Sequence, residues 1–342
     1  PRGDRLRLKG RLDVNDPGSM VQTERLSPDA AGIAQAASIL RRGGLVAFPT
    51  ETVYGLGADA TSAEAVTGIY AAKDRPRFNP LISHVDSVEA AQSQGVFDDV
   101  ASRLARAFWP GPLTLVVPVA PGCTVCDLAR AGLDSVGLRV PSHPLARKLL
   151  AAVGRPVAAP SANRSGRVSP TRAEHVLVDL DHRIEAVLDG GDTDVGIEST
   201  IVACLGGTPR LLRPGGVPRE AIEAVIGRSL DTPPPDSSAP VAPGMLASHY
   251  APRAQVRLNA TTIRPGEAAL LFGSRWPANA EQANATLNLS EDGDLQEAAA
   301  RLFSALRSLD AADIGTIAVS PIPDIGLGEA INDRLRRAAA GR

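Results

Sequence analysis

Between Thr232 and Pro243 the chain reads Thr-Pro-Pro-Pro-Asp-Ser-Ser-Ala-Pro-Val-Ala-Pro, and no other stretch constrains the fold more. Proline locks φ and carries no amide proton, so it is excluded from helix interiors and from central strands. A tract this rich in proline, with no hydrophobic period, is a linker. It divides the 342 residues into a larger unit over 20–230 and a smaller one over 254–342, with 231–253 between them. Each unit is long enough to bury a core of its own. Residues 1–19 are polar and aperiodic, and Gly18-Ser19-Met20 has the look of a cloning junction, so this stretch is expected to be a tag or a disordered extension.

The larger unit mixes two periods. Helices are expected from a Ser27 cap with Pro28 at the first position to Arg42, and from Ser62 to about Lys73. Further helices are expected over 87–94, 97–108, 144–153, 171–180 and 218–226. Strand-like runs fall at 45–48, 81–85, 115–119, 136–140, 157–160, 185–189, 199–205 and 210–213, and a hydroxyl-rich loop closed by two glycines spans Pro49–Gly57. Some neighbouring strands have no helix between them, which predicts a mixed α/β sheet. Beyond the linker, strands at 256–258, 268–272, 285–289 and 316–320 alternate with helices over 294–308 and 328–339, the second of them basic: a small α/β domain.

Composition narrows the function. Lys+Arg 36 against Asp+Glu 38 excludes a surface that is basic throughout, but leaves room for one basic pocket. Three cysteines are too few for a disulfide framework, and Cys123 and Cys126, far from Cys204 and from any histidine, read as ordinary thiols rather than a metal or redox centre. No apolar run reaches membrane-spanning length, and a cytoplasmic location is expected.

Polar side chains recur where strands end: Thr50, Thr52, His84, Arg139, Ser161, Asn163, Ser199, Thr200 and Arg213. In an α/β sheet those ends are where ligands bind. Singly, each is an ordinary turn or surface residue; together they supply cations for phosphates with hydroxyls and amides for a small polar substrate. Lys73-Asp-Arg75-Pro-Arg-Phe-Asn79-Pro reads as a stiff, extended arm whose two cations face one way and could grip a polyphosphate; the plainer reading is a solvated basic turn. Neither a Walker-type phosphate loop nor a full dinucleotide fingerprint is present.

Taken in order, Pro49-Thr-Glu-Thr-Val-Tyr-Gly-Leu-Gly57, Lys73-x-Arg75-Pro-x-x-Asn79-Pro-Leu81, Trp109-Pro-Gly-Pro-Leu-Thr114, Arg139-Val-Pro-x-His143-Pro144, Ala159-Pro-Ser-Ala-Asn163, Ser199-Thr-Ile201 and Leu212-Arg-Pro-Gly215 resemble the YrdC-like family, the L-threonylcarbamoyladenylate synthases. Pro243-Gly-Met-Leu-Ala-Ser-His249-Tyr250-Ala-Pro252 resembles the signature of its long, two-domain form, with Ser248 in place of the basic residue many such members carry. The resemblance implies a twisted mixed sheet with a concave basic pocket and a smaller Rossmann-like C-terminal domain. It implies that L-threonine, bicarbonate or carbon dioxide, and ATP give threonylcarbamoyl-AMP, pyrophosphate and water, the first step of N6-threonylcarbamoyladenosine formation in tRNA. A partner transferase complex completes that modification.

Carried over by the resemblance, Lys73 and Arg75 are the catalytic cations. They would share the ATP site with Asn79, Ser135, Ser161, Asn163, Ser169, Arg213 and Tyr250, with Mg²⁺ on the phosphates. Thr52, His84, Arg139, Ser161 and Ser199 would hold threonine, and Tyr250 would lie over the nucleotide as part of a lid. Two other classes compete: an RNA-binding module without chemistry, for which 3% aromatics offer little stacking surface, and a carbamoyltransferase of related fold, which would bring zinc-finger cysteines. The C-terminal domain shows no catalytic constellation, so a chain ending after Pro252 is expected to retain adenylate formation.

Overall fold

A computed structural model describes residues 22–76, 79–232, 250–312 and 314–340. Most of the proline tract and the Ser248-His249 pair lie outside the described residues, as does the stretch 1–21. The chain enters through β1 (Glu24–Leu26), which the sequence reading did not expect, and α1 (Ala30–Arg41). The cap of α1 is Asp29, whose carboxylate accepts from the Gly32 amide, and not Ser27 two residues earlier. Then follow β2 (Val46–Pro49), β3 (Tyr54–Asp59), α2 (Ala63–Lys73) and β4 (Ile82–His84). The expected loop over Pro49–Gly57 is therefore a four-residue turn that feeds a strand. Gly55 sits inside that strand because a Cβ there would stand 3.2 Å from the Ala159 methyl.

The unit continues with α3 (Val88–Gln94), α4 (Asp99–Phe108), β5 (Leu113–Pro118), β6 (Ser135–Arg139), α5 (Pro144–Val153) and β7 (Val157–Ala158). It closes with α6 (Ala173–Leu180), β8 (Ala186–Leu188), β9 (Thr200–Ala203), β10 (Arg210–Arg213) and α7 (Arg219–Ile226). Ten strands form one mixed sheet in the order β1-β8-β2-β3-β7-β4-β6-β5-β9-β10. Alternation splits its faces. Leu113, Leu115, Val117, Val136, Leu138 and Val202 join the main core, whereas Ile82, Val116, Ile201, Ala203 and Leu212 form a small apolar floor on the other side.

After the linker come β11 (Gln255–Arg257), β12 (Ala268–Leu271), β13 (Thr286–Asn288), α8 (Leu295–Ala311), β14 (Thr316–Val319) and α9 (Leu327–Ala339). Their strands pair all in parallel, in the order β11-β14-β12-β13. The two units do not keep separate interiors. Val53, Val168 and Ile197 of the larger one belong to the same buried cluster as Leu302, Phe303 and Leu306 of α8. Arg307 ties the units further, pairing with fully buried Asp179 at 2.7 Å and donating to the Val168 carbonyl.

Candidate active site

Register assembles the site. β4 and β6 run parallel with His84 beside Arg139, so both side chains emerge at one end of the sheet. β5 is antiparallel to β6, which brings its first residues to that same end, and parallel β9 follows it in with Ser199 just ahead of Thr200. Thr114 and Ser199 share a hydrogen bond of 2.8 Å across this pair. Antiparallel β10 then delivers Arg213 to the start of β9. A bulge between Leu211 and Arg213 turns Arg213 to the face that simple alternation would deny it, and its Nη2 donates to the Ser199 carbonyl at 2.9 Å. From the other side, the turn after β2 presents Thr52, and Ser161 follows β7, bridged to Gly55.

These groups enclose a cavity of about 40 Å³ lined by Thr52, Arg75, His84, Arg139, Ser161, Ser199, Arg213 and Tyr250, together with Glu198. Wider clefts of about 470 and 510 Å³ open elsewhere, beside Arg307 and beside Arg155, but neither gathers the expected residues. Three guanidiniums thus converge on one small volume. Burial lowers the pKa of Arg75 to about 10 and that of Arg213 below its ordinary value, because desolvation disfavours the charged form. Burial, with Arg139 close by, also pushes His84 from 6.5 to about 3, so its imidazole is neutral at physiological pH.

Buried polar atoms without a partner among the described residues concentrate here. Arg75 Nε, His84 Nδ1 and Arg139 Nε belong to the cavity lining, and both side-chain amide atoms of Asn79 and the Asn163 Oδ1 are buried outside it. Native interiors rarely leave such atoms unpaired. A cluster of them around cations is the imprint of a polar, anionic ligand.

Several expected residues sit differently from the arrangement the sequence suggests. Lys73 is the last residue of α2, and Asp74 turns the chain in a left-handed conformation at φ 53°, so Lys73 and Arg75 are not two cations on an extended arm. The Lys73 ammonium is 2% exposed and donates to the backbone carbonyls of Ser161, at 2.5 Å, and Asn163. It clamps the loop after β7, while Arg75 alone of the pair faces the cavity. Ser169 is buried with its hydroxyl on Glu198, 2.5 Å away. Asn79 and Asn163 lie buried outside the cavity lining, and Ser135 stands at the far end of β6 from Arg139, half-buried. Arg139 spends Nη2 on Glu51, at 2.7 Å, and on the Thr52 hydroxyl, at 2.9 Å. Cys123 and Cys126 pack against the main core, and Cys204 is buried in it.

Sequence reasoning missed Glu51, Glu198, Phe303 and Arg334. The first two stood inside or beside quoted motifs. The last two lie on helices where nothing in the spacing distinguishes them from core and solvent positions.

Residues 38–215 match the family model Sua5_yciO_yrdC, described as telomere recombination, and residues 217–340 match Sua5_C, described as threonylcarbamoyl-AMP synthase, C-terminal domain. The threonylcarbamoyl-AMP synthase of Bacillus subtilis is 42% identical over 334 residues, covering 94% of this chain and 96% of that protein. The chain belongs to the threonylcarbamoyl-AMP synthase family. The family's synthase from Pyrococcus abyssi is 41% identical, covering 90% of this chain and 94% of its own, and that of Schizosaccharomyces pombe 35%, covering 92% and 90%. The crystal structure of Pyrococcus abyssi Sua5 complexed with L-threonine superposes with a TM-score of 0.85 at 38% identity, over 93% of this chain and 97% of the other. Family membership and the two-unit architecture, a mixed sheet followed by a parallel one, thus agree. No helix among the described residues is long and apolar enough to cross a membrane.

Proposed function

We propose that this member of the family joins L-threonine, carbon dioxide or bicarbonate, and ATP into threonylcarbamoyl-AMP, with release of pyrophosphate and, where bicarbonate is the carbon source, of water. The observation that carries the reading is the convergence of Arg75, Arg139 and Arg213, with the unpartnered His84 Nδ1, around one enclosed volume. The threonine amine captures carbon dioxide and loses a proton, and the carbamate oxygen attacks the α-phosphorus. Pyrophosphate leaves with the bonding pair. A protein nucleophile is not needed; positioning and charge neutralisation supply the catalysis.

Arg139, fixed by Glu51 and Thr52, offers its remaining donors to the threonine carboxylate. Neutral His84 and the Ser199 hydroxyl lie within reach of the substrate's polar groups. Arg75 and Arg213 face the phosphates, with Asn79, Asn163 and Ser161 beside them. Lys73 acts on the nucleotide site through the loop it clamps. Among the described residues no group of three or more His, Cys, Asp or Glu side chains could hold a cation, and the acids nearest the cavity, Glu51 and Glu198, are paired with arginines. Mg²⁺ would arrive on the phosphate oxygens of ATP, as is usual for nucleotide-bound magnesium. The product is a mixed anhydride that water destroys, so a transferase acting on tRNA would consume it promptly.

The test is pyrophosphate release with Mg²⁺-ATP, with L-threonine and bicarbonate omitted in turn. Release that needs both, and that Arg75→Ala lowers by about 100-fold or more, supports the reading. Release indifferent to threonine would assign the fold to another acceptor.

A further inference from the structure

One side chain of the C-terminal domain reaches the catalytic unit with no assigned task. Arg334, on α9, is fully buried. Its Nε donates to Glu198 at 2.9 Å, and its Nη1 to the Pro214 carbonyl at 2.6 Å and to Asp333 at 2.9 Å. Its guanidinium lies 5.4 Å from the centroid of the Tyr250 ring, which also stacks on Phe303 of α8 at 5.5 Å.

Each contact leads back to the cavity. Glu198 lines it and accepts the Ser169 hydroxyl. Pro214 follows Arg213, and Tyr250 forms part of the wall. Burying a guanidinium is costly, and a pair made only for stability is often replaceable by apolar packing. Here Nη2 is left without a partner among the described residues, which argues against a purely structural placement. Tyr250 itself holds a left-handed backbone, φ 62°, in a non-glycine residue, a conformation that persists only where surroundings impose it.

We propose that Arg334 is a positioning residue for the nucleotide half of the site: through Glu198, the Pro214 carbonyl and the Tyr250 ring it fixes Ser169, Arg213 and Tyr250 together. The C-terminal domain thereby completes a site whose reacting groups all belong to the other unit. This rests on the synthase reading above, and Arg334 touches no substrate.

The experiment uses the full chain with Arg334→Lys, Arg334→Met, and Arg334→Met combined with Glu198→Gln, which removes both charges and so guards the fold. KM for ATP, turnover, L-threonine affinity by calorimetry and thermal unfolding are measured for each. Arg334→Met is expected to raise KM for ATP about tenfold while L-threonine affinity stays within about twofold. Arg334→Lys is expected to recover thermal stability without recovering KM, since one ammonium cannot serve a carboxylate, a carbonyl and a ring at once. A role confined to stability would instead lower turnover with KM unchanged, and lysine would rescue it. The inference is overturned if the double variant keeps KM for ATP within about twofold of the parent, or if ATP and threonine affinities fall together. If the parent protein itself shows no threonine-dependent pyrophosphate release, the synthase reading fails first and this inference with it.

Discussion

Glu51 and Arg139 show how one pair serves a ligand that is yet to arrive. Both are buried, and the carboxylate accepts the Ser142 amide as well as Arg139 Nη2. Glu51→Ala leaves a buried cation unmatched, which costs about 3 kcal/mol. L-threonine should return part of that, because its carboxylate becomes the missing anion. Urea unfolding with and without threonine checks this; equal stabilisation of parent and variant would contradict it. His84 supports a pH argument. With its pKa at about 3, against 6.5 when unfolded, the unfolded chain binds the extra proton first. Its contribution to stability is therefore complete above pH 6.5 and is lost as pH falls toward 3. NMR of the ring protons should show no titration of His84 between about pH 5 and pH 8; a midpoint near 6.5 would mean that the imidazole is solvated.

At the scale of elements, the approach of β10 to the start of β9 depends on Gly215. A Cβ there would stand 2.4 Å from the Glu198 carbonyl oxygen, the Ser199 carbonyl carbon and the Thr200 nitrogen, all of them backbone. Gly215→Ala must push the strands apart and carry Ser199 and Arg213 with them. Activity is expected to fall about 100-fold, since misplacement by an ångström costs that much, while circular dichroism stays that of a folded protein. The junction of α2 with the loop after β7 is the second such point. Lys73→Ala leaves the buried Asn163 carbonyl without its donor, at a cost of about 1–3 kcal/mol, and leaves the Ser161 carbonyl to the Asn163 amide. The loss should appear in thermal stability as well as in turnover, whereas a lysine acting only on phosphate would affect turnover alone.

For the whole molecule, the shared cluster of Val53, Val168 and Ile197 with Phe303 and Leu306 makes the two units one cooperative body. Scanning calorimetry of the full chain should show a single transition; two separated ones would refute the shared core. The same packing argues against the expectation that a chain ending after Pro252 keeps its chemistry. That truncation removes Phe303 and Arg334 and leaves Tyr250, Glu198 and the three apolar side chains exposed.

Much of this was legible in the order of residues. Helices α2, α5 and α7 lie within a residue or so of where capping and period placed them, because Ser62, Pro144 and Gly227 act locally. The mixed sheet followed from strands without intervening helices, and the family from motifs whose sequence order needs no folding to be read. Other decisions required distant parts to meet. Whether Lys73 points at phosphate or at two carbonyls depends on a loop ninety residues away. Arg213 faces the cavity because a bulge against β9 overrides alternation, and Arg334 meets Glu198 only because α9 docks against the larger unit. Local propensity sets where elements begin and end; the partner of a buried charge is set by long-range packing, and so only the tertiary structure decided it.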